Sequence, residues 1–176
     1  MRLATKSILY FVSDVGTSIV GFLATLYFAR VLGPDPLGRY FVVVALLGWA
    51  TIPTNGIGAA VNKRVSEGRD RHRMFSAGAA LALTYWAVVS VAVVVAGRRL
   101  DAYVGASVVP YLVVILLAHI AFTVALEGIK GRKMIAHAGF LRTGDRALRA
   151  LAQVALIYLG YSVLGLIAGH VAALVA

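Results

Sequence analysis

Long apolar segments recur along the chain, each about 20 residues long or slightly longer, and short polar or glycine-rich stretches separate them. A helix needs about 20 mostly apolar residues to cross the hydrocarbon core of a bilayer. The 176 residues have room for about five or six such spans and for no separate soluble catalytic domain. Because 61% of the residues are hydrophobic and only 14% are charged, we exclude a water-soluble single domain. We expect an all-α, polytopic membrane protein.

The spacing of these segments predicts one transmembrane domain over residues 1–176. Its helices are expected at about 7–31, 40–61, 74–96, 105–126, 134–160 and 163–176. The last helix would have about 14 residues, which is too short to cross, so the sequence looks truncated there. The final part of the chain also allows another interpretation, with a basic interfacial helix over 134–149 and one long span over 150–176. We favour the first interpretation because the polar residues of 134–160 share one helical face.

Pro53 lies inside the predicted second helix and is followed by Gly56 and Gly58. Proline removes a backbone donor, and within a membrane the freed group has to be satisfied by a neighbour or a polar cavity. We therefore expect this helix to be kinked or broken near its end.

The positive charges are distributed very unevenly between the two ends of the predicted spans. The net charge is +10, and residues 62–73 alone carry five Lys or Arg. If the N-terminus is cytoplasmic, 13 of the 17 Lys and Arg residues lie on or near the cytoplasmic side. Such an asymmetry is typical of membrane topology, since cytoplasmic loops collect Lys and Arg. We expect a multi-pass protein of the cell membrane with a cytoplasmic N-terminus, in contact with membrane lipids and with no nucleic-acid partner.

Polar residues within the spans recur at helical spacing. A charge in hydrocarbon is costly and usually faces a cavity or a partner, so these residues are the candidates for function. The strongest set is an arginine stripe on the predicted fifth helix, formed by Arg142, Arg146 and Arg149. These three guanidiniums lie on one helical face and suit binding of an anion such as phosphate. The candidate cavity residues are Asp14, Asn55, Arg142, Arg146, Arg149 and Gln153.

Two questions about the arginine stripe stay open at this point. Asp145 can pair with either Arg142 or Arg149 along the helix. The stripe could also lie at the membrane surface, where its arginines would only contact anionic lipid headgroups.

Catalytic and metal-binding patterns are missing from the sequence. The chain has no cysteine, its four histidines are dispersed, and no nucleotide-binding glycine loop or serine nucleophile motif occurs. We therefore predict no catalytic residues, no metal site and no cofactor, and we do not expect an enzyme.

Several short motifs resemble one transporter family. Residues 21–33 with Leu37-Gly38-Arg39-Tyr40 are similar to the first helical hairpin of polysaccharide biosynthesis proteins, the lipid-linked oligosaccharide flippases. These proteins belong to the multidrug, oligosaccharidyl-lipid and polysaccharide exporter superfamily. The end of the family's second helix resembles residues 55–64, and the end of its fourth helix resembles residues 127–132. The turn between its fifth and sixth helices resembles residues 159–166.

The resemblance implies a two-lobe exporter of which this chain matches only the N-terminal lobe. A polyprenyl-linked sugar phosphate would enter a cationic cavity between the lobes, and alternating access would carry it outward without ATP hydrolysis. The role would be in polysaccharide or lipopolysaccharide biosynthesis. A second lobe is missing, so the chain would be a fragment, a degenerate remnant or a half that pairs with a partner or with itself.

Two other functions remain from the residues alone. The chain could be a non-transporting accessory subunit, whose polar faces hold helices together. A small membrane enzyme of lipid metabolism is the weaker alternative because no catalytic constellation can be assembled.

Overall fold

The computed structural model describes Val15, Ser18, Ile19, residues 21–68 and residues 70–175. Secondary structure over these residues is helical, with short turns between the helices. The helices are α1 (Gly21–Leu32), α2 (Pro34–Ser66), α3 (Arg71–Val95), α4 (Gly97–Val104), α5 (Val109–Gly131), α6 (Ile135–Tyr158) and α7 (Val163–Val175).

The protein is a polytopic helical membrane protein. Within the described part of the chain, α2, α3 and α5 are long and apolar enough to cross a membrane, and α1 and α7 are shorter apolar helices. Their outward surface is apolar: Trp49 is 79% exposed and Val95 82% exposed. A soluble protein rarely exposes such large apolar patches, whereas a bilayer covers them.

Helix α5 lies at the centre and contacts α2, α3, α6 and α7. Its apolar residues Leu112, Ile115, Leu116, Ile120 and Val124 recur at three- and four-residue intervals and are buried. Helix α3 is peripheral, because only Ala82 and Ser90 on it are buried.

The connections at one end of the bundle are fixed by polar contacts. Asp101 Oδ1 accepts hydrogen bonds from the backbone N–H groups of Val108 (2.8 Å) and Val109 (3.3 Å), so it caps the start of α5. Gly105 ends α4 at φ 72°, a conformation that favours glycine. The Arg39 guanidinium donates to the Gly105 carbonyl at 2.8 Å and ties the start of α2 to this turn.

Of the two alternatives predicted for Pro53, a kink or a break, the break is wrong, since α2 continues as one helix to Ser66. Pro53 deprives the Trp49 carbonyl of its intrahelical donor. Polar groups support this turn: the Tyr85 hydroxyl donates to the Ala50 carbonyl at 2.6 Å, and the Thr51 hydroxyl donates to the Gly48 carbonyl at 3.1 Å. Neighbouring side chains thus stabilise a continuous helix across the proline.

Other helix bounds differ from those expected at the turns. α2 begins at Pro34 instead of about residue 40, because Gly33 at φ 79° makes the turn and Pro34 suits a first helical position. Residues 97–104, expected to lie mainly in a connection, form the short helix α4. α6 ends at Tyr158, and Gly160 at φ 89° turns the chain into α7, which is the first of the two interpretations for this region.

Candidate functional site

An open cavity of about 630 Å³ lies between α1 and α2 on one side and α6 and α7 on the other. Apolar residues such as Phe28, Phe41 and Val44 form much of its wall on the α1–α2 side. The opposite wall is polar and includes Arg146, Arg149, Gln153 and His170.

The sequence of α6 explains why its polar residues face inward. Asp145, Arg149 and Gln153 repeat at four-residue intervals and lie on one face of the helix. The opposite face carries large apolar side chains, among them Phe140 (79% exposed) and Leu151 (68% exposed). This arrangement is that of a helix with lipid on one side and a polar interior on the other.

Asp145 pairs with Arg149, which resolves the choice that the sequence left open. Arg149 Nη2 lies 2.6 Å from Asp145 Oδ2, one helical turn away. The Asp145 carboxylate is buried, and the pair neutralises two charges that would each be costly inside a membrane. Within the described residues, Asp145 Oδ1 and Arg149 Nε have no hydrogen-bond partner.

Gln153 joins three helices at the inner wall of the cavity. Its Nε2 donates to the Tyr40 hydroxyl at 2.9 Å and to the Leu166 carbonyl at 2.8 Å. An amide nitrogen has two hydrogens, so both are used within the protein. Gln153 therefore lines the cavity and at the same time holds α2, α6 and α7 together.

Glycine allows α7 to lie unusually close to this part of α6. A Cβ placed on Gly169 would be 2.8 Å from the backbone nitrogen of Gln153 and 3.0 Å from its Cα. Backbone atoms cannot move aside as a flexible side chain can, so only glycine fits there. The close contact positions Gln153 and His170 next to one another in the cavity wall.

The structure brings together three of the six candidate residues, namely Arg146, Arg149 and Gln153. Arg142 and Asn55 are exposed and do not contribute to the wall of this cavity. Arg142 instead lies close enough to Glu127 for the two charges to interact. Asp14 lies outside the described residues.

His170 is a cavity residue that the sequence analysis missed. It is only 3% exposed, and neither ring nitrogen has a hydrogen-bond partner among the described residues. A signal was present, because an ionisable residue within an apolar helix indicates a polar partner or a functional site.

A second polar cluster lies where the ends of α2 and α5 meet. Asn62 Nδ2 donates to Glu127 Oε2 at 2.8 Å, and Lys130 Nζ lies 2.6 Å from Glu127 Oε1. Gly58 permits the close approach, since a Cβ there would lie 3.0 Å from Glu127 Cγ.

Over the described ranges, no group of His, Cys, Asp and Glu side chains is arranged to hold a metal ion.

Comparison with known proteins identifies two relatives from the archaeon Haloferax volcanii. The chain is 31% identical over 148 residues to the protein named Probable low-salt glycan biosynthesis flippase Agl15, covering 84% of this chain and 30% of the relative. It is 26% identical over 172 residues to Probable flippase AglR, covering 97% of this chain and 36% of the relative. The chain thus spans about a third of the length of these curated relatives.

No protein-family model and no solved structure matches the chain. The resemblance that the sequence motifs indicated is nevertheless confirmed by these relatives: the chain is a homologue of proteins named as flippases, one of them a flippase of glycan biosynthesis.

Proposed function

We propose that this chain forms one lobe of a membrane flippase that moves lipid-linked oligosaccharide or polysaccharide precursors across the cell membrane by alternating access. The observation that carries the proposal is an arginine-lined cavity in a homologue of flippases. We infer a transporter rather than an enzyme for the same reason.

Arg146 is the residue that we assign to the phosphate of a polyprenyl-linked sugar. It is half-buried in the cavity wall, and its guanidinium offers a fork of donors that fits phosphate oxygens. Arg149 adds positive charge nearby, although Asp145 neutralises part of it. The apolar residues of α1 and α2 on the opposite wall suit the lipid chain.

The proposed orientation has the N-terminus in the cytoplasm. The contact between Asn62 and Glu127 brings the ends of α2 and α5 together, and both ends are basic. Basic residues collect on the cytoplasmic side, so this end of the bundle is assigned to the cytoplasm and the turn at Gly105 to the outside.

A second wall is needed for alternating access. The cavity is open, and a second lobe or a second copy of the chain would close it. The two lobes would then rock around the bound substrate and expose it to one side of the membrane at a time.

Disruption of the encoding gene in its own organism tests the proposal. Lipid-linked glycan should accumulate in the cytoplasmic leaflet, and the surface glycan measured by lectin binding should fall. A plasmid copy of the gene should restore both. Arg146→Ala should restore little, and Arg146→Lys only part, because the lysine lacks the donor fork.

Arg98→Ala is the matched control, since Arg98 is an exposed arginine on α4 that does not line the cavity. It should restore the surface glycan fully. Normal surface glycan after disruption would overturn the flippase proposal. Full restoration by Arg146→Ala would favour the accessory subunit, in which the polar faces only hold helices together.

A further inference from the structure

We propose that a groove between α2, α3 and α5 binds a membrane phospholipid that carries a net negative charge. One hydrocarbon chain of the lipid lies in the groove, and Arg99 on α4 binds its phosphate. The inference goes beyond the proposed function and does not depend on it, because the groove shares no lining residue with the arginine-lined cavity.

The groove has a volume of about 480 Å³, and Leu, Val and Ala side chains line it together with Trp49. Its walls are α2, α3 and α5, which are long and apolar enough to cross a membrane. Two of the lining residues, Trp49 and Val88, are largely exposed, so the groove opens toward the surrounding lipid. A hydrocarbon chain is the apolar group that a bilayer presents to such an opening.

Small side chains leave this space between the helices. Ala50 on α2 and Ala92 on α3 line the groove at positions where larger side chains would narrow it. The Tyr85 hydroxyl donates to the Ala50 carbonyl at 2.6 Å, and Trp86 Nε1 donates to the Val113 carbonyl at 3.1 Å. These two hydrogen bonds hold α3 to both α2 and α5, so they fix the walls of the groove relative to one another.

The length of the groove matches one leaflet of a bilayer. Along α3 its wall runs from Val88 to Ala96, which is about 12 Å at a helical rise of about 1.5 Å per residue. The hydrocarbon core of a bilayer is about 30 Å thick, so one leaflet contributes about 15 Å. The groove therefore accommodates the chain of a single lipid whose headgroup lies beside α4.

Helix α4 places a positive charge at the headgroup end of the groove. The Leu100 N–H donates to the Ala96 carbonyl at 3.0 Å, and both residues line the groove. Arg99 and Tyr103 follow Ala96 and Leu100 by three residues, so they share this face of the helix, and both are exposed. Tyrosine is enriched at the membrane–water interface, which indicates that α4 lies at headgroup depth.

The charge of Arg99 is available to an anion from the membrane. Among the residues that the structure describes, no carboxylate forms an ion pair with it. Asp101, the nearest acid in sequence, instead accepts hydrogen bonds from the backbone N–H groups of Val108 and Val109. A guanidinium binds phosphate oxygens through a fork of donors. An apolar groove with an unpaired guanidinium at one end complements an anionic phospholipid.

Quenching of tryptophan fluorescence by brominated lipids tests the site. Trp49 lines the groove, and bromine atoms on a hydrocarbon chain quench a tryptophan that they contact. We would reconstitute the purified chain in phosphatidylcholine bilayers and replace part of the lipid by brominated phosphatidylglycerol, which is anionic, or by brominated phosphatidylcholine, which has no net charge. Half-maximal quenching should need about fivefold less brominated phosphatidylglycerol, the effect of one basic residue beside an anionic lipid.

Two sets of variants test the headgroup contact and the groove separately. Arg99→Gln should remove the preference for phosphatidylglycerol, and Arg99→Lys should keep most of it because the charge remains. Arg98→Gln is the control, since Arg98 is also exposed but lies on the other face of α4. Ala92→Phe fills the groove and should also remove the preference, whereas Ala87→Phe, at an exposed position of α3 outside the groove, should keep it.

Three results would overturn the inference. The first is equal quenching of the wild type by the two lipids. The second is a preference that survives Arg99→Gln or Ala92→Phe, which would place the anionic lipid elsewhere on the chain. The third is resistance of Trp49 to both brominated lipids, which would mean that a second copy of the chain covers the groove. None of these results concerns the arginine-lined cavity, so the proposed flippase function would stand.

Discussion

The close contact of α6 and α7 predicts that a single methyl group at residue 169 destabilises the protein. The Cβ of Gly169→Ala would lie 2.7 Å from Gln153 Cγ and 2.8 Å from the Gln153 backbone nitrogen. Ordinary contacts between such atoms are about 3.5–4.0 Å, so the two helices would have to move apart. The hydrogen bond of 2.8 Å between Gln153 and the Leu166 carbonyl would lengthen at the same time.

The size of this effect follows from two opposing contributions. Overpacking of a tight interior costs about 1–3 kcal/mol. Replacing a helical glycine by alanine gains about 1 kcal/mol in helix propensity. Gly144→Ala is a matched control on α6, because nothing lies within 4 Å of the position of its Cβ. The control shares the gain in propensity but not the clash.

The assay is unfolding in mixed detergent micelles by titration with a denaturing detergent. Gly169→Ala should unfold with a free energy about 1–3 kcal/mol lower than that of Gly144→Ala. Equal stability of the two variants would refute the close approach of α6 and α7 and with it the position of Gln153.

The other predictions concern topology, the polar cluster between α2 and α5, and assembly. A single cysteine in place of Arg69 should react with a membrane-impermeant thiol reagent only after the membrane is opened. A single cysteine in place of Tyr103, which is 77% exposed, should react in intact cells. The reverse labelling pattern would invert the proposed orientation. A double-mutant cycle of Asn62→Ala and Glu127→Ala, measured by unfolding, should give a coupling energy of about 0.5–3 kcal/mol, whereas strict additivity would exclude their hydrogen bond. The purified chain should self-associate in detergent, and as a monomer it should not transport a polyprenyl-linked sugar. A monomer that transports this lipid in liposomes would contradict the two-lobe mechanism.

The sequence by itself determined the class of the protein. Long apolar runs can be buried only in a bilayer, which made helical spans predictable without knowledge of their packing. The turn at Gly160 and the shared face of Asp145, Arg149 and Gln153 on α6 were also predictable, because glycine and residue spacing are local properties of the chain. The motifs further indicated a likeness to flippases, which the relatives confirm.

Only the tertiary structure decided which polar residues meet. Spacing allowed either Arg142 or Arg149 as the partner of Asp145, and the structure shows that Arg149 is the one that pairs with it. Only the fold brings Tyr85, which is distant in sequence, to the Ala50 carbonyl in the turn before Pro53. His170 joins Arg149 in one cavity because Gly169 lets α7 approach α6, a contact between helices that no local pattern contains.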